Sequence, residues 1–166
     1  MDLLPDQPRL ETENFVLRSI REDEIQLMHL LGLAFWNGRP AESVEMGLES
    51  IKKIVSEYTA GRCLHWCVEK KNEGSIVACV GYYRGFENSQ GEIGYVVNAA
   101  HRSQGVMTEV MPRLLEYGFI ERRLRKIIAV THGDNLPSVT LLARFGFVFE
   151  AEKAEGYRQY ARTPLT

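Results

Sequence analysis

Between residues 44 and 58 the apolar positions Val44, Leu48, Ile51, Val55 and Tyr58 recur at intervals of three and four. That period puts them on one face and predicts a helix over 42–60, ended by Gly61. Elsewhere the period shortens to two. Phe15, Leu17 and Ser19 alternate with Val16, Arg18 and Ile20 and predict a strand over 14–20, after an arm in which Pro5 and Pro8 oppose a helix. Ile25, Met28 and Leu31 then mark a short helix, with capping chemistry at 19–23. Leu64, Trp66 and Val68 share one side of a strand over 64–69. Asn72-Glu73-Gly74 is hairpin chemistry, and the almost continuous apolar run 75–83 suits a central strand covered on both faces.

A polar, Gly-rich turn over 85–91 leads into a further apolar strand, 93–97. Short turns make these neighbours antiparallel. From Gly105 a helix presents Met107, Val110, Met111, Leu114, Leu115 and Gly118 inward, with Pro112 inside it. The apolar strand 126–131 follows, so the helix is a crossover and strands 93–97 and 126–131 are expected to be parallel. A short helix opening at Pro137 or Ser138, a strand over 147–151 and a weakly apolar tail complete the chain. The expectation is one mixed α/β (α+β) domain over 1–166, with six or seven mainly antiparallel strands, about four helices and one parallel pair. The tail looks short for a final strand.

Composition narrows the function. At 166 residues and 45% apolar content the chain can bury about two-thirds of its unfolded surface. A net charge of −2 lacks the basic footprint of a nucleic-acid binder. No apolar run approaches the ~18 residues of a membrane span, and the acidic N-terminus is not a signal peptide. Cys63, Cys67 and Cys79 sit in strand-like stretches without metal-ligand spacing. They read as buried thiols in a reducing compartment, hence the cytoplasm, with no metal site; a catalytic thiol is the alternative.

The stretch 91–109 carries the candidate chemistry. An apolar strand runs into a polar turn bearing Arg102 and then into a helix at Gly105, and no acidic side chain occurs between Ile93 and Thr108. A helix start offers unpaired N–H groups and a partial positive charge to an anion, and Gly105 removes the Cβ that would hold a phosphate off. Ordinary turn chemistry is the competing reading.

Arg102-Ser103-Gln104-Gly105-Val106-Met107-Thr108-Glu109 resembles the acetyl-CoA pyrophosphate loop of GNAT-type N-acetyltransferases, Arg/Gln-x-x-Gly-x-Gly/Ala. Asn135-Leu136-Pro137-Ser138 followed by Phe145-Gly146-Phe147 is similar to a second block of the branch containing the ribosomal-protein alanine and serine N-terminal acetyltransferases. The resemblance covers nearly the whole chain. It implies a sheet splayed at the parallel pair, acetyl-CoA on residues 102–108, carbonyl polarisation by backbone N–H groups around Val96 and Val97, and contacts from Asn135 and Ser138.

Acetyl transfer needs a neutral amine, a polarised carbonyl and a stabilised thiolate. At neutral pH an α-amine (pKa ~7.7–8) is roughly a tenth deprotonated or more, and a lysine (~10.4) less than a thousandth. Glu92 is the candidate base, against a salt-bridging role; Ser138 is the candidate donor to the leaving sulfur, against helix capping by Asn135 and Ser138. Phe35 and Trp36 either line the acceptor pocket or staple the first two helices. Tyr95 is counted with the acceptor site and, like Tyr157 and His132, is a fallback proton donor. Met107 stands where Gly or Ala is usual, and Leu142 where many members have Tyr.

The expected activity is acetyl transfer from acetyl-CoA to a primary amine, a peptide or protein N-terminus, by a monomer or homodimer. A polyamine, antibiotic or amino-acid analogue is the small-molecule alternative, and an acyl-CoA-binding module without catalysis is the alternative of another class.

Overall fold

The computed structural model describes residues 1–36 and 39–165. In chain order the elements are β1 (Leu10–Glu11), β2 (Phe15–Arg18), α1 (Ile25–Leu30), β3 (Phe35–Trp36), β4 (Arg39–Pro40), α2 (Val44–Thr59), β5 (Leu64–Lys70), β6 (Ile76–Tyr82), β7 (Gln90–Val97), α3 (Val106–Glu116), β8 (Lys126–His132), α4 (Leu136–Arg144), β9 (Val148–Glu152) and β10 (Tyr157–Arg162). Among the described residues eight strands form one sheet in the order β1-β2-β5-β6-β7-β8-β10-β9, and β3 and β4 form a separate hairpin. Every pairing is antiparallel except β7 with β8, the pair joined by the α3 crossover. No helix among the described residues is long and apolar enough to cross a membrane.

The sheet has eight strands rather than six or seven, for two reasons. Two residues, Leu10 and Glu11, are enough to pair with Leu17 and Val16 as β1. The tail forms β10, which pairs with β8 on one side and β9 on the other. Only Tyr160 and Ala161 of β10 are buried, so main-chain hydrogen bonds to two neighbours hold it more than apolar side chains do.

The two faces of the sheet are packed unequally. Beneath α3 and α4 lies a dense core that includes Trp66, Tyr82, Val110, Met111, Leu114 and Leu142. Beneath α1 the core is small: Ile20, Met28, Leu33, Cys67, Ile76 and Cys79. The α2 period is as expected, but its buried residues are Gly47 and Ile51, while Leu48 is exposed.

Pro112 lies on the exposed side of α3, beside exposed Thr108, so water can take the carbonyl it leaves unpaired. The helix runs on into a π turn, Tyr117–Glu121. The buried Tyr82 hydroxyl donates to the Leu114 carbonyl at 2.7 Å, and a Cβ at Gly118 would lie 2.3 Å from that hydroxyl. Neither group can retreat: the phenol is fully buried and bonded. Gly118→Ala is therefore expected to cost about 1–3 kcal/mol and several degrees of Tm, measured by thermal unfolding.

Candidate active site

The site begins where the parallel pair separates. β7 and β8 are in register from Gln90↔Lys126 to Ile93↔Ala129. Beyond that point β7 follows β6 to Val97↔Ala78, while β8 follows β10 to His132↔Tyr157. A gap opens in the middle of the sheet.

Backbone alternation decides which groups face it. The Tyr83 N–H donates to the Glu92 carbonyl at 2.9 Å and the Asn98 N–H to the Val77 carbonyl at 2.8 Å. The even-numbered residues of β7 thus bond β6, and the N–H and C=O groups of Tyr95 and Val97 turn toward the departed β8. Arg102 Nε donates into the gap to the Val97 carbonyl at 3.2 Å. Of the two amides expected to polarise a carbonyl, Val97's faces the gap, whereas Val96's is committed to β6 opposite Cys79; Tyr95's takes its place. Side chains alternate too. Tyr95 and Val97 pack against the α3/α4 core, and Val96 packs beneath α1.

On the α3/α4 face, Gly105 is the N-cap of α3 in the left-handed region (φ 79°), where a side chain is strained. An added Cβ would meet nothing within 4 Å, so the space above the loop is open. Among the described residues none accepts from the N–H groups of Ser103, Gln104 or Gly105, and those of Val106, Met107 and Thr108 fall in the first helical turn. Gln104 donates to the Ala100 carbonyl, and exposed Arg144 of α4 donates to the Thr108 hydroxyl at 3.3 Å, bringing a second cation beside Arg102's loop. Met107 is buried in the core, so its side chain does not crowd the open face.

At the gap the Tyr95 and Ser138 hydroxyls are 2.7 Å apart. Burial raises the Tyr95 pKa, against a smaller lowering by Ser138, so the phenol keeps its proton at neutral pH. Asn135 caps α4, its side chain accepting from the Ser138 N–H at 3.4 Å, and Asn135, Ser138 and Leu142 line the cleft. The cap geometry and the proximity to the gap therefore coexist. Leu142 is fully buried; the phenol at this site comes from β7 instead.

On the α1/α2 face the gap opens into a cavity, the whole cleft measuring about 810 Å³. Its floor is one face of the sheet, His65 of β5 with Cys63 just before it, Cys79 of β6 and Gly94 of β7, with Tyr83 and Glu92 beside them. Gly47, Ile51 and Ile54 of α2 form its roof, which explains the rotated face of that helix. Charge stays at the rim: Arg84 Nε is 3.1 Å from Glu92 Oε2, Arg62 Nε is 2.7 Å from Glu57 Oε2, and Lys53 stands nearby. Burial pushes the Cys63 thiol up to about 11 and raises Cys79 and Tyr83 further. His65 was not among the residues singled out in the sequence; its signal was its place in register with Cys63 and Cys67 on the polar side of an alternating strand. The side chains of Phe35 and Trp36, expected at the acceptor site, lie outside the described residues.

Comparison with known proteins agrees with this fold. The family described as the acetyltransferase (GNAT) domain matches residues 14–148. An uncharacterized N-acetyltransferase of Bacillus subtilis (strain 168), YoaA, is 26% identical over 159 residues, spanning 92% of this chain and 88% of its own. The ribosomal L7/L12 α-N-protein acetyltransferase RimL, solved with coenzyme A, matches with a TM-score of 0.80 at 18% identity, over 94% of this chain and 98% of its own. The spermidine/spermine N-acetyltransferase SpeG of Vibrio cholerae matches with a TM-score of 0.72 at 19% identity, over 90% and 92%.

The Tyr95–Ser138 contact is open to a double-mutant cycle. Tyr95→Phe and Ser138→Ala are each expected to destabilise, and the pair to show a coupling of about 0.5–1.5 kcal/mol in urea unfolding. Strict additivity would mean the two hydroxyls are not bonded in solution.

Proposed function

Because the chain belongs to the acetyltransferase (GNAT) domain family, we propose that it carries the acetyl group of acetyl-CoA to the α-amine of a peptide or protein N-terminus. Acetyl transfer is the reaction of the family. The finer reading rests chiefly on one observation: β7 offers a carboxylate to one face of the gap and a protonated phenol to the other.

On this reading the pyrophosphate lies on the N–H groups and cations of residues 102–108, and the thioester reaches the gap from the α3/α4 side. The amine arrives from the cavity under α1 and α2. Glu92, on the cavity wall, takes the ammonium proton directly or through one water. The neutral nitrogen attacks the thioester carbon, whose oxygen is held by the Tyr95 and Val97 N–H groups. As the C–N bond forms and the C–S bond breaks, the departing thiolate takes a proton from the Tyr95–Ser138 pair, and the second proton shed by the nitrogen restores that pair through water. Both departures from the family pattern are accommodated: Met107 turns into the core, and Tyr95 brings a phenol where Leu142 has none. That favours catalysis over a binding module.

The rim supports an α-amine over a polyamine. Its carboxylates, Glu57 and Glu92, are each paired with an arginine, and Lys53 adds positive charge, so among the described residues no net negative field draws in a polycation.

The test is a thermal-shift titration followed by an acceptor screen. Acetyl-CoA at a hundred times its Kd is expected to stabilise by ~2.7 kcal/mol, several degrees of Tm, with ATP and NAD giving less. Ser- and Ala-terminated peptides are expected to outperform spermidine. Glu92→Gln is expected to lower kcat at least tenfold with acetyl-CoA binding intact. No shift at millimolar acetyl-CoA overturns the cradle, and unchanged kcat removes Glu92 as the base.

A further inference from the structure

We propose that His65 is the acceptor-recognition residue of the cavity, its imidazole hydrogen-bonding an uncharged polar group, a hydroxyl or an amide, on the body of the amine substrate. The proposal rests on the reading of the α1/α2 cavity as the acceptor site.

His65 is held with unusual care. β2 stops pairing with β5 at Arg18↔Cys67, which would leave the His65 main chain unpaired on that side. Gln7 of the N-terminal arm takes the strand's place. Its side-chain amide donates to the His65 carbonyl at 2.6 Å and accepts from the His65 N–H at 2.8 Å, and Gln7 is itself buried. On its other side His65 is in register with Gly81, and Gly81 with Gly94. A Cβ at Gly94 would lie 2.3 Å from the Tyr83 ring, so the bare glycine is what lets that ring lie down on the floor, with its centroid 5.6 Å from the imidazole's.

The backbone of His65 is thus fully committed, and its side chain is not. The residue is 6% exposed; its Nδ1 is sealed from solvent without a partner, and among the described residues Nε2, the ring nitrogen left open to the cavity, makes no hydrogen bond either. An orphaned polar atom in a packed interior is destabilising, and an apolar side chain of similar size would remove the penalty. A cavity residue whose ring makes no hydrogen bond among the described residues is explained if a ligand completes it. The group a ligand meets there is neutral, because burial alone lowers the His65 pKa to about 4. The charged groups on the surrounding elements, Lys53 and Glu57 on α2 and Arg84 and Glu92 beyond Tyr83, stay at the rim. A neutral imidazole offers one donor and one acceptor and no charge to balance an ammonium, so it suits a hydroxyl or amide. It stands two strand spacings from Gly94, about 10 Å from where the amine meets the gap, the reach of a side chain or amide one residue beyond a peptide's first.

The test pairs acceptors that differ only in that group, such as peptides with Thr or Val, or Asn or Leu, at the second residue, and small amines with and without a hydroxyl. Wild-type protein is expected to prefer the polar member by about three- to tenfold in kcat/KM. His65→Leu is expected to erase the preference, mainly through KM, while leaving the KM for acetyl-CoA unchanged and Tm equal or higher. His65→Asn should restore part of it. A polar preference that survives His65→Leu, the absence of any such preference in the wild type, or a lowered Tm with uniform loss on every acceptor would overturn the proposal and leave His65 a packing residue. Transfer to small amines alone would overturn the N-terminal reading, and the His65 ratio is then read on those amines.

Discussion

The structure depends on the parting of β7 and β8 after Ile93 and Ala129. Had the two strands stayed paired, the N–H groups of Tyr95 and Val97 would be spent in the ladder and the sheet would have no opening. Parting leaves main-chain groups without partners near the middle of a sheet, at a cost of ~1–3 kcal/mol for each one kept from water. The sheet survives because each strand keeps its other neighbour: β7 stays with β6 to Val97, and β8 with β10 to His132. The tail strand, poor in apolar residues, is what holds β8 in line once it has left β7. Its contribution is structural support for the gap.

The second constraint is the period of two within β7. One eight-residue strand serves both faces. Glu92, Gly94 and Val96 look toward α1 and α2, and Tyr95 and Val97 toward α3 and α4. The proposed base and the proposed acid, which must not neutralise one another, are thereby separated by the thickness of the sheet, with the reacting carbon between them in the proposed reaction. A register slip of one residue would exchange the two faces.

This division explains what the sequence made legible. The helices α2 and α3 and the strands from β5 to β8 follow from period and run length alone, because their apolar patterns are long and unbroken. The strand-to-helix turn at Gly105 was legible as well, although ordinary turn chemistry gives the same signal. What escaped depends on partners elsewhere in the chain. β10 is held by main-chain bonds to two strands, which no side-chain pattern records. The commitment of the Val96 amide to β6 depends on which residues of the pair exchange hydrogen bonds. The Tyr95–Ser138 contact joins residues 43 apart. Leu48 seemed to lie on the buried face of α2, but that helix covers a cavity, so Gly47, Ile51 and Ile54 turn inward. His65 was not legible because Leu64, Trp66 and Val68 suffice to mark the strand and carry no information about its opposite side.

The unequal packing of the two faces bears on which amines the cavity can hold. The α3/α4 face is dense and apolar; the α1/α2 face is roofed over groups that burial keeps uncharged, the Cys63 and Cys79 thiols, the Tyr83 phenol and the His65 imidazole. Formal charges stand at the rim, as Glu92 with Arg84 and Glu57 with Arg62. An ammonium moving inward leaves compensated surroundings for uncompensated ones, so it is favoured to give up its proton at the rim, where Glu92 stands. The penalty grows with the pKa of the amine, by about 1.36 kcal/mol per unit, and separates a lysine from an α-amine by roughly 3–4 kcal/mol. On the proposed reading the cavity's neutrality and the carboxylate at its edge act together: each amine would have to arrive as the species that can attack, and the α-amine is the one for which that requirement is light.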